Sequence, residues 1–340
     1  MNETHFPPGK LPPPALEHLL QSYTHRDPRL VVPPGLGEDA AVIDFGDRYL
    51  VAKTDPITFA TDAIGWYAVH VNANDIAAMG ARPRFFLATI LLPADQAAPS
   101  LIESIFRSIH TAAGQLDIVV CGGHTEITQG IDRPIVVGQM LGEVEPAKLV
   151  RSSGLCPGDA LILTKGLAIE ATALIAREKR PELRARGYAE EFLDKCADYL
   201  EDPGISVVRD ARIAAAAAPL HAMHDPTEGG VATALHELAS ASGVGLEICP
   251  ESLYLAPESS RLCAEYGLDP LGIISSGSLL LGCAEENAPT IISALENAGI
   301  RAARIGSATS PATGLVLRRG AQVDPLPRFS ADEITRLFED

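Results

Sequence analysis

Val71-Asn72-Ala73-Asn74-Asp75-Ile76-Ala77-Ala78-Met79-Gly80-Ala81-Arg82-Pro83 decides how this chain is read. Val71, Ile76 and Met79 offer apolar contacts, while Asn72, Asn74 and Asp75 form a polar edge. Gly80 ahead of Pro83 ends a helix, because glycine accepts the left-handed turn after the last helical residue and proline cannot continue it. A carboxylate on an Ala-rich, small-residue helix is out of place unless it meets a charge. Glu38-Asp39 in a Gly-rich turn and Asp55 behind a strand precede it, which raises the question of whether the three acidic points converge on a cation.

Working outward, Ala40–Asp44 and Tyr49–Thr54 read as a β-hairpin around Gly46-Asp47. Pro83 to Leu92 reads as a buried strand, and residues 99–114 as an amphipathic helix with Leu101, Ile105, Phe106 and Ile109 inward. Asp117 to Cys121 is expected to be a short buried strand, turning at Gly122-Gly123-His124, with Pro134 to Gly142 closing the unit. The pattern restarts after Val150-Arg151-Ser152-Ser153-Gly154. It continues with a strand at 159–164, helices over 168–179, 204–218 and from Gly230 to Ser240, and a helix near 258–266. Strands follow at Ile273-Ile274 and 278–283, then a helix over 288–298 and a final strand at 314–317. Strands and helices mix without strict alternation, which is an α+β pattern in two related halves. The expected division is a Pro-rich tail at 1–14, a first domain at 15–150 and a second at 151–340.

At 340 residues the chain exceeds one ordinary core. With 46% hydrophobic and 21% charged residues it is globular in composition. A formal charge of −17 opposes nucleic acid and anionic membrane as partners, so a polyphosphate ligand needs local amides, a lysine or a divalent cation. Apolar runs stop well short of a membrane span, and Met1 to Pro8 lacks a basic start and an apolar block. The six scattered cysteines, without Cys-x-x-Cys, fit a reducing cytoplasm.

Each candidate motif has a plainer reading beside it. Gly35-Leu36-Gly37-Glu38-Asp39 brings amides and a hard oxygen ligand together, as phosphate and Mg²⁺ require, yet a Gly/Asp turn explains it equally. Asp55 is otherwise a turn residue before Pro56, and Asp75 a surface charge. His124 offers a ligand, a phosphate donor or a proton shuttle, against an ordinary hydrogen-bonded loop histidine. Asp225-Pro226-Thr227-Glu228-Gly229-Gly230 opens a helix, where bare amides suit an anion and a capping motif suits no ligand at all.

Gly-Glu-Asp-Ala-Ala-Val (37–42), Lys-Thr-Asp-Pro (53–56), Asn-Asp-Ile-Ala-Ala-Met-Gly-Ala (74–81), Gly-Gly-His-Thr (122–125) and Asp-Pro-Thr-Glu-Gly-Gly (225–230) together resemble the AIR synthetase, or PurM-like, superfamily. The nearest likeness is to its HypE-like, AIR synthase related members. The resemblance implies a two-domain PurM-like fold: an N-terminal domain forming a dimeric β-barrel in a homodimer, and a C-terminal α/β sandwich domain. It implies ATP and Mg²⁺ as cofactors. Asp39, Asp55 and Asp75 would hold the metal; Gly37, Asn74, Gly122 and Gly123 would lie near the nucleotide; Thr227, Gly229 and Gly230 would face the cleft. Lys10 and His124 would act near the transferred phosphate. The implied activity is phosphoryl transfer, or a ligase-type reaction, that activates an oxygen of a small-molecule or protein-bound acceptor. The alternative is a non-catalytic nucleotide-binding accessory in [NiFe]-hydrogenase or other metallocofactor maturation. HypE proper ends in Pro-Arg-Ile-Cys, whereas this sequence reads Arg336-Leu337-Phe338-Glu339-Asp340, so a cyanide-forming terminal thiol is not expected.

Overall fold

The computed structural model describes residues 6, 11–25, 27–35, 37–58 and 62–338. Lys10 and most of the segment read as a tail lie outside them. The first helix, α1 (Pro13–Tyr23), opens on prolines, which the first helical turn tolerates because its amides have no intrahelical partner. There follow β1 (Leu30–Val32), β2 (Ala41–Asp44), β3 (Tyr49–Ile57), α2 (Ile64–Ala78), β4 (Arg82–Pro93), α3 (Pro99–Gln115), β5 (Val119–Thr128) and β6 (Ile135–Val144). They build a six-stranded sheet in the order β1-β2-β3-β6-β4-β5, antiparallel except for the β4/β5 pair.

The second unit contains β7 (Ala160–Thr164), α4 (Ile169–Glu178), α5 (Arg180–Ala185), α6 (Glu190–Ala197), α7 (Val208–Ala217), β8 (Ala222–His224), α8 (Gly230–Ser242), β9 (Gly245–Ile248), α9 (Pro257–Tyr266), β10 (Leu280–Cys283), α10 (Ala288–Asn297), β11 (Ala302–Thr309), β12 (Leu315–Arg319) and β13 (Gln322–Pro325). Its seven-stranded sheet runs β13-β12-β9-β11-β7-β10-β8. The fold is therefore α+β in two sheet-and-helix units.

Helix α2 starts at Ile64, earlier than the sequence pattern indicated, and all fifteen of its residues are buried. It lies between the first sheet and the second unit. Ala77 and Ala78 share a core cluster with Ala211 and Ala214 of α7, so the alanines that looked unremarkable let two helices approach closely. On the sheet side, Gly138 has no side chain because a Cβ there would lie 2.3 Å from Asn72 Nδ2.

Four expectations need correction. Phe106, expected to face inward on α3, is exposed, while Ile105 and Ile109 are buried. Gly122-Gly123-His124 does not turn: β5 runs through it to Thr128, as an exposed edge strand and not a short buried one. Gly123 serves strand pairing, since a Cβ would meet the Ala88 carbonyl oxygen at 2.1 Å. Ile273-Ile274 is irregular backbone, although both residues are buried. The strand β11, central to the second sheet, went unread because its Ala, Gly and Ser residues carry no β-branched signal apart from Ile305 and Thr309.

Candidate functional site

Strand β3 alternates faces, and Val51, Lys53 and Asp55 share the face that looks toward α2. Lys53 Nζ lies 3.0 Å from Asp75 Oδ1 and 3.6 Å from Asp55 Oδ2. Burial works against the Lys53 ammonium, yet Asp75, Asp55 and Asp39 outweigh it and hold its pKa above the ordinary lysine value. The charge that Asp75 was expected to meet is thus a lysine of the same chain. Burial pushes the Asp75 carboxyl up to about 7, Lys53 opposes this, and Asp55 and Asp39 add to it.

Asp39 enters from the turn before β2. Ser152 Oγ donates to its Oδ2 at 3.2 Å, and His224 Nδ1, at the end of β8, lies 2.7 Å from its Oδ1. The other His224 nitrogen, Nε2, is 3.0 Å from Glu237 Oε2 on α8. Burial disfavours the imidazolium, but Asp39 and Glu237 together raise its pKa well above the ordinary histidine value. Asp225, next in the chain, is raised well above the carboxylate range by burial and by the nearby Asp75 and Asp39. Asp39, His224 and Asp225 each offer a ligand atom within 4.8 Å of the others.

The three aspartates named from sequence therefore gather at the junction of the two units, with Asp225 as a fourth. The donor set suits Mg²⁺: it is made of hard carboxylate oxygens, and Oδ2 of both Asp75 and Asp225 is buried without a hydrogen-bond partner among the described residues. Orphaned buried oxygens of this kind call for a partner.

The remaining residues are placed differently from the acidic cluster. Gly37, at φ 76°, abuts the second unit, where a Cβ would lie 3.3 Å from the Glu237 carbonyl oxygen. Asn74 is fully buried, its Nδ2 donating to the Ile205 carbonyl at 2.7 Å and its Oδ1 accepting from the Val207 amide at 2.8 Å. Its amide is committed to tying α2 to the loop before α7. Asp55, Gly138, Ala88 and Gly123 lie in one row across β3, β6, β4 and β5, so His124 is three strand spacings, about 14 Å, from Asp55 within one chain. His124 is exposed, with Glu126 3.3 Å away.

At the start of α8 the Gly229 amide donates to Asp332 Oδ2 at 2.6 Å. Asp332 Oδ1 accepts from Ile274 and Ile334 at 3.1 and 2.8 Å. The anion position expected at Gly229-Gly230 is thus occupied by a carboxylate from the C-terminal segment. Thr227 and Asp332 line a cavity of about 50 Å³ with Asp55, Tyr67 and Glu170. Burial pushes Glu170 up to about 8, with Ser276 opposing through a hydrogen bond, and burial pushes Asp332 up to about 6.

Sequence reasoning passed over Lys53, His224, Glu170 and Asp332. The alternation Val51, Lys53, Asp55 on one strand face was a usable signal for the first. No local pattern pointed to Asp332.

Residues 37–144 match the family described as AIR synthase related protein, N-terminal domain, and residues 156–317 match its C-terminal domain. Carbamoyl dehydratase HypE of Rhodobacter capsulatus is 30% identical over 305 residues, 85% of each chain. Its counterpart in Rhizobium leguminosarum bv. viciae is 30% identical over 282 residues, covering 79% of this chain and 76% of that protein. A crystal structure of hydrogenase maturation protein HypE in complex with ATP shares the fold. Its TM-score is 0.71 at 22% identity, covering 92% of this chain and 90% of that one.

Proposed function

The chain belongs to the AIR synthase related family that includes carbamoyl dehydratase HypE, and on that premise we propose that it binds ATP with Mg²⁺ and activates an acceptor oxygen by phosphoryl transfer in hydrogenase or related metallocofactor maturation. The observation that carries this reading is the convergence of Asp39, Asp55, Asp75 and Asp225 around Lys53, with two buried oxygens lacking partners among the described residues. Bound there, Mg²⁺ would offset phosphate charge and the charge that develops during transfer. Lys53 lowers the cost of crowding four carboxylates while no metal is present. His224, held by Asp39 and Glu237, fixes the Asp39 carboxylate against the second unit. Ser152 fixes its other oxygen. Transfer of the terminal phosphoryl group releases ADP and converts the acceptor oxygen into a phosphate leaving group.

Calorimetric titration of ATP with and without Mg²⁺ tests the premise. Saturable binding that requires Mg²⁺ is expected, and no heat of binding with Mg²⁺ present would remove the reading.

The same proposal includes a homodimer formed through β5. Its ten residues are an unpaired sheet edge exposing Val119, Val120 and Ile127, and such edges pair unless something blunts them. In a dimer, His124 of one chain is free to serve the site of the other, which matters because it is far from Asp55 in its own. Val120→Lys is expected to shift light-scattering mass from dimer to monomer; an unchanged mass would place the interface elsewhere. A non-catalytic accessory role remains the reading if ATP binds but no phosphate is released in the dimer.

A further inference from the structure

Helix α2 separates two cavities. One face carries Tyr67 and Val71 toward the small cavity lined by Asp55 and Glu170, and the other carries Trp66, His70 and Ala77 toward a groove of about 1230 Å³ between the two units. The groove is large enough for a nucleotide-sized molecule.

Its wall holds polar groups that the protein leaves unsatisfied. His70 is 3% exposed and neither ring nitrogen has a hydrogen-bond partner among the described residues. Trp66, 8% exposed, has an Nε1 without a partner among the described residues, and the two rings lie tilted at 50° with centroids 4.4 Å apart. Burial, reinforced by Lys165, lowers the His70 pKa to about 3, so the ring is neutral and presents one donor and one acceptor. Each such buried group left unmet is destabilising, because it has given up water without a replacement partner.

The rim carries more basic than acidic side chains in a chain whose formal charge is −17: of its carboxylates, Asp117 pairs with Arg82 and Asp210 with Lys165, while Glu201 and Asp202 are exposed. Lys165 is engaged, with the Gly204 and Ser206 carbonyls and Asp210 around its ammonium. Arg209, Arg212 and Arg301 have no carboxylate partner among the described residues, whereas most arginines of this protein do. Arg301 lies 3.9 Å over the Tyr254 ring in a cation–π contact, so the planar guanidinium and the ring form one flat platform. Arg209 donates to the Ala298 carbonyl at 2.8 Å.

We propose that this groove is a second ligand site, separate from the acidic cluster, for a small heterocyclic monophosphate. The phosphate meets Arg209, Arg212 and Arg301, the ring stacks at the Arg301–Tyr254 platform, and the ring's polar edge satisfies His70 and Trp66.

Trp66 is the chain's single tryptophan, so its fluorescence reports this groove directly. Titration with AMP in the absence of Mg²⁺ is expected to give a saturable change. Adenosine and inorganic phosphate, each carrying half of the recognised features, are expected to bind more weakly. Replacing exposed Arg209 and Arg301 together by Ala removes two charge-assisted contacts and should weaken AMP at least about tenfold, the equivalent of about 1.4 kcal/mol. His70→Phe keeps the ring, removes both nitrogens and should also weaken binding. Asp75→Asn, which strikes the proposed Mg²⁺–ATP site, should leave the AMP response unchanged, so the two readings fail separately. No response at millimolar AMP, an undiminished response in folded Arg209→Ala/Arg301→Ala protein, or a response abolished by Asp75→Asn would each overturn the proposal.

Discussion

Asp75→Asn is expected to lower Mg²⁺-dependent ATP turnover about 100- to 1000-fold, the usual cost of removing one well-placed electrostatic contact from a reacting centre. The substitution keeps the volume of the side chain and removes its charge. Asp75 is on a fully buried helix, so its carboxylate is disfavoured by burial and by Asp55 and Asp39. A neutral amide relieves that repulsion, and its loss of the 3.0 Å contact with Lys53 falls on a lysine still held by Asp55. Melting temperature should therefore change little while activity collapses. Where turnover awaits an acceptor, the same variant is read by calorimetry as weaker Mg²⁺–ATP binding. Equal turnover or equal affinity in the variant and the parent would show that Asp75 has no part in metal binding.

The second large effect is on stability against pH. Glu170 has a pKa of about 8 in the folded chain against 4.5 for the free side chain, because it is buried. Between those values the folded state holds a proton that the unfolded state has released, so stability falls as pH rises through this window. At about 1.4 kcal/mol per pH unit, the loss from pH 5 to pH 8 is on the order of 4 kcal/mol for this group alone. Asp332, raised to about 6, and His224, raised above its ordinary value, act in the same sense: each binds its proton more tightly when folded. Metal-free protein should therefore melt at a lower temperature at pH 8 than at pH 5.5, and Glu170→Gln should flatten the slope. Mg²⁺, which binds the ionised carboxylates, should stabilise most at the higher pH. A melting temperature that rises across this range without metal, or a slope unchanged in Glu170→Gln, would show that Glu170 ionises normally.

The legible parts of this protein are those written in short-range chemistry. The Gly80 helix end, the hairpin around Gly46-Asp47 and the amphipathic α3 follow from backbone preferences and a repeat of three to four residues. The β5 reading failed for the same local reason: Val119 and Val120 look buried in sequence, and only the sheet order shows that their strand has no neighbour on its outer side. Gly122-Gly123 looked like a turn, when Gly123 answers the close approach of Ala88.

The sequence by itself determined two α+β halves and pointed to a set of carboxylates, because turn residues and apolar periodicity act over a few neighbouring positions; that Asp55 lies within β3 and Asp75 within α2 was decided by the fold. Tertiary structure alone decided what those carboxylates meet. Lys53 turns to Asp75 across 22 positions, Asp39 meets Ser152 across 113, Asn74 ties down Ile205 across 131, and Asp332 takes the Gly229 amide across 103. Contacts at such separations leave no local pattern: they exist because folding buries α2 between the first sheet and the second unit, where a charge or amide is costly unless an element brought beside it supplies a partner.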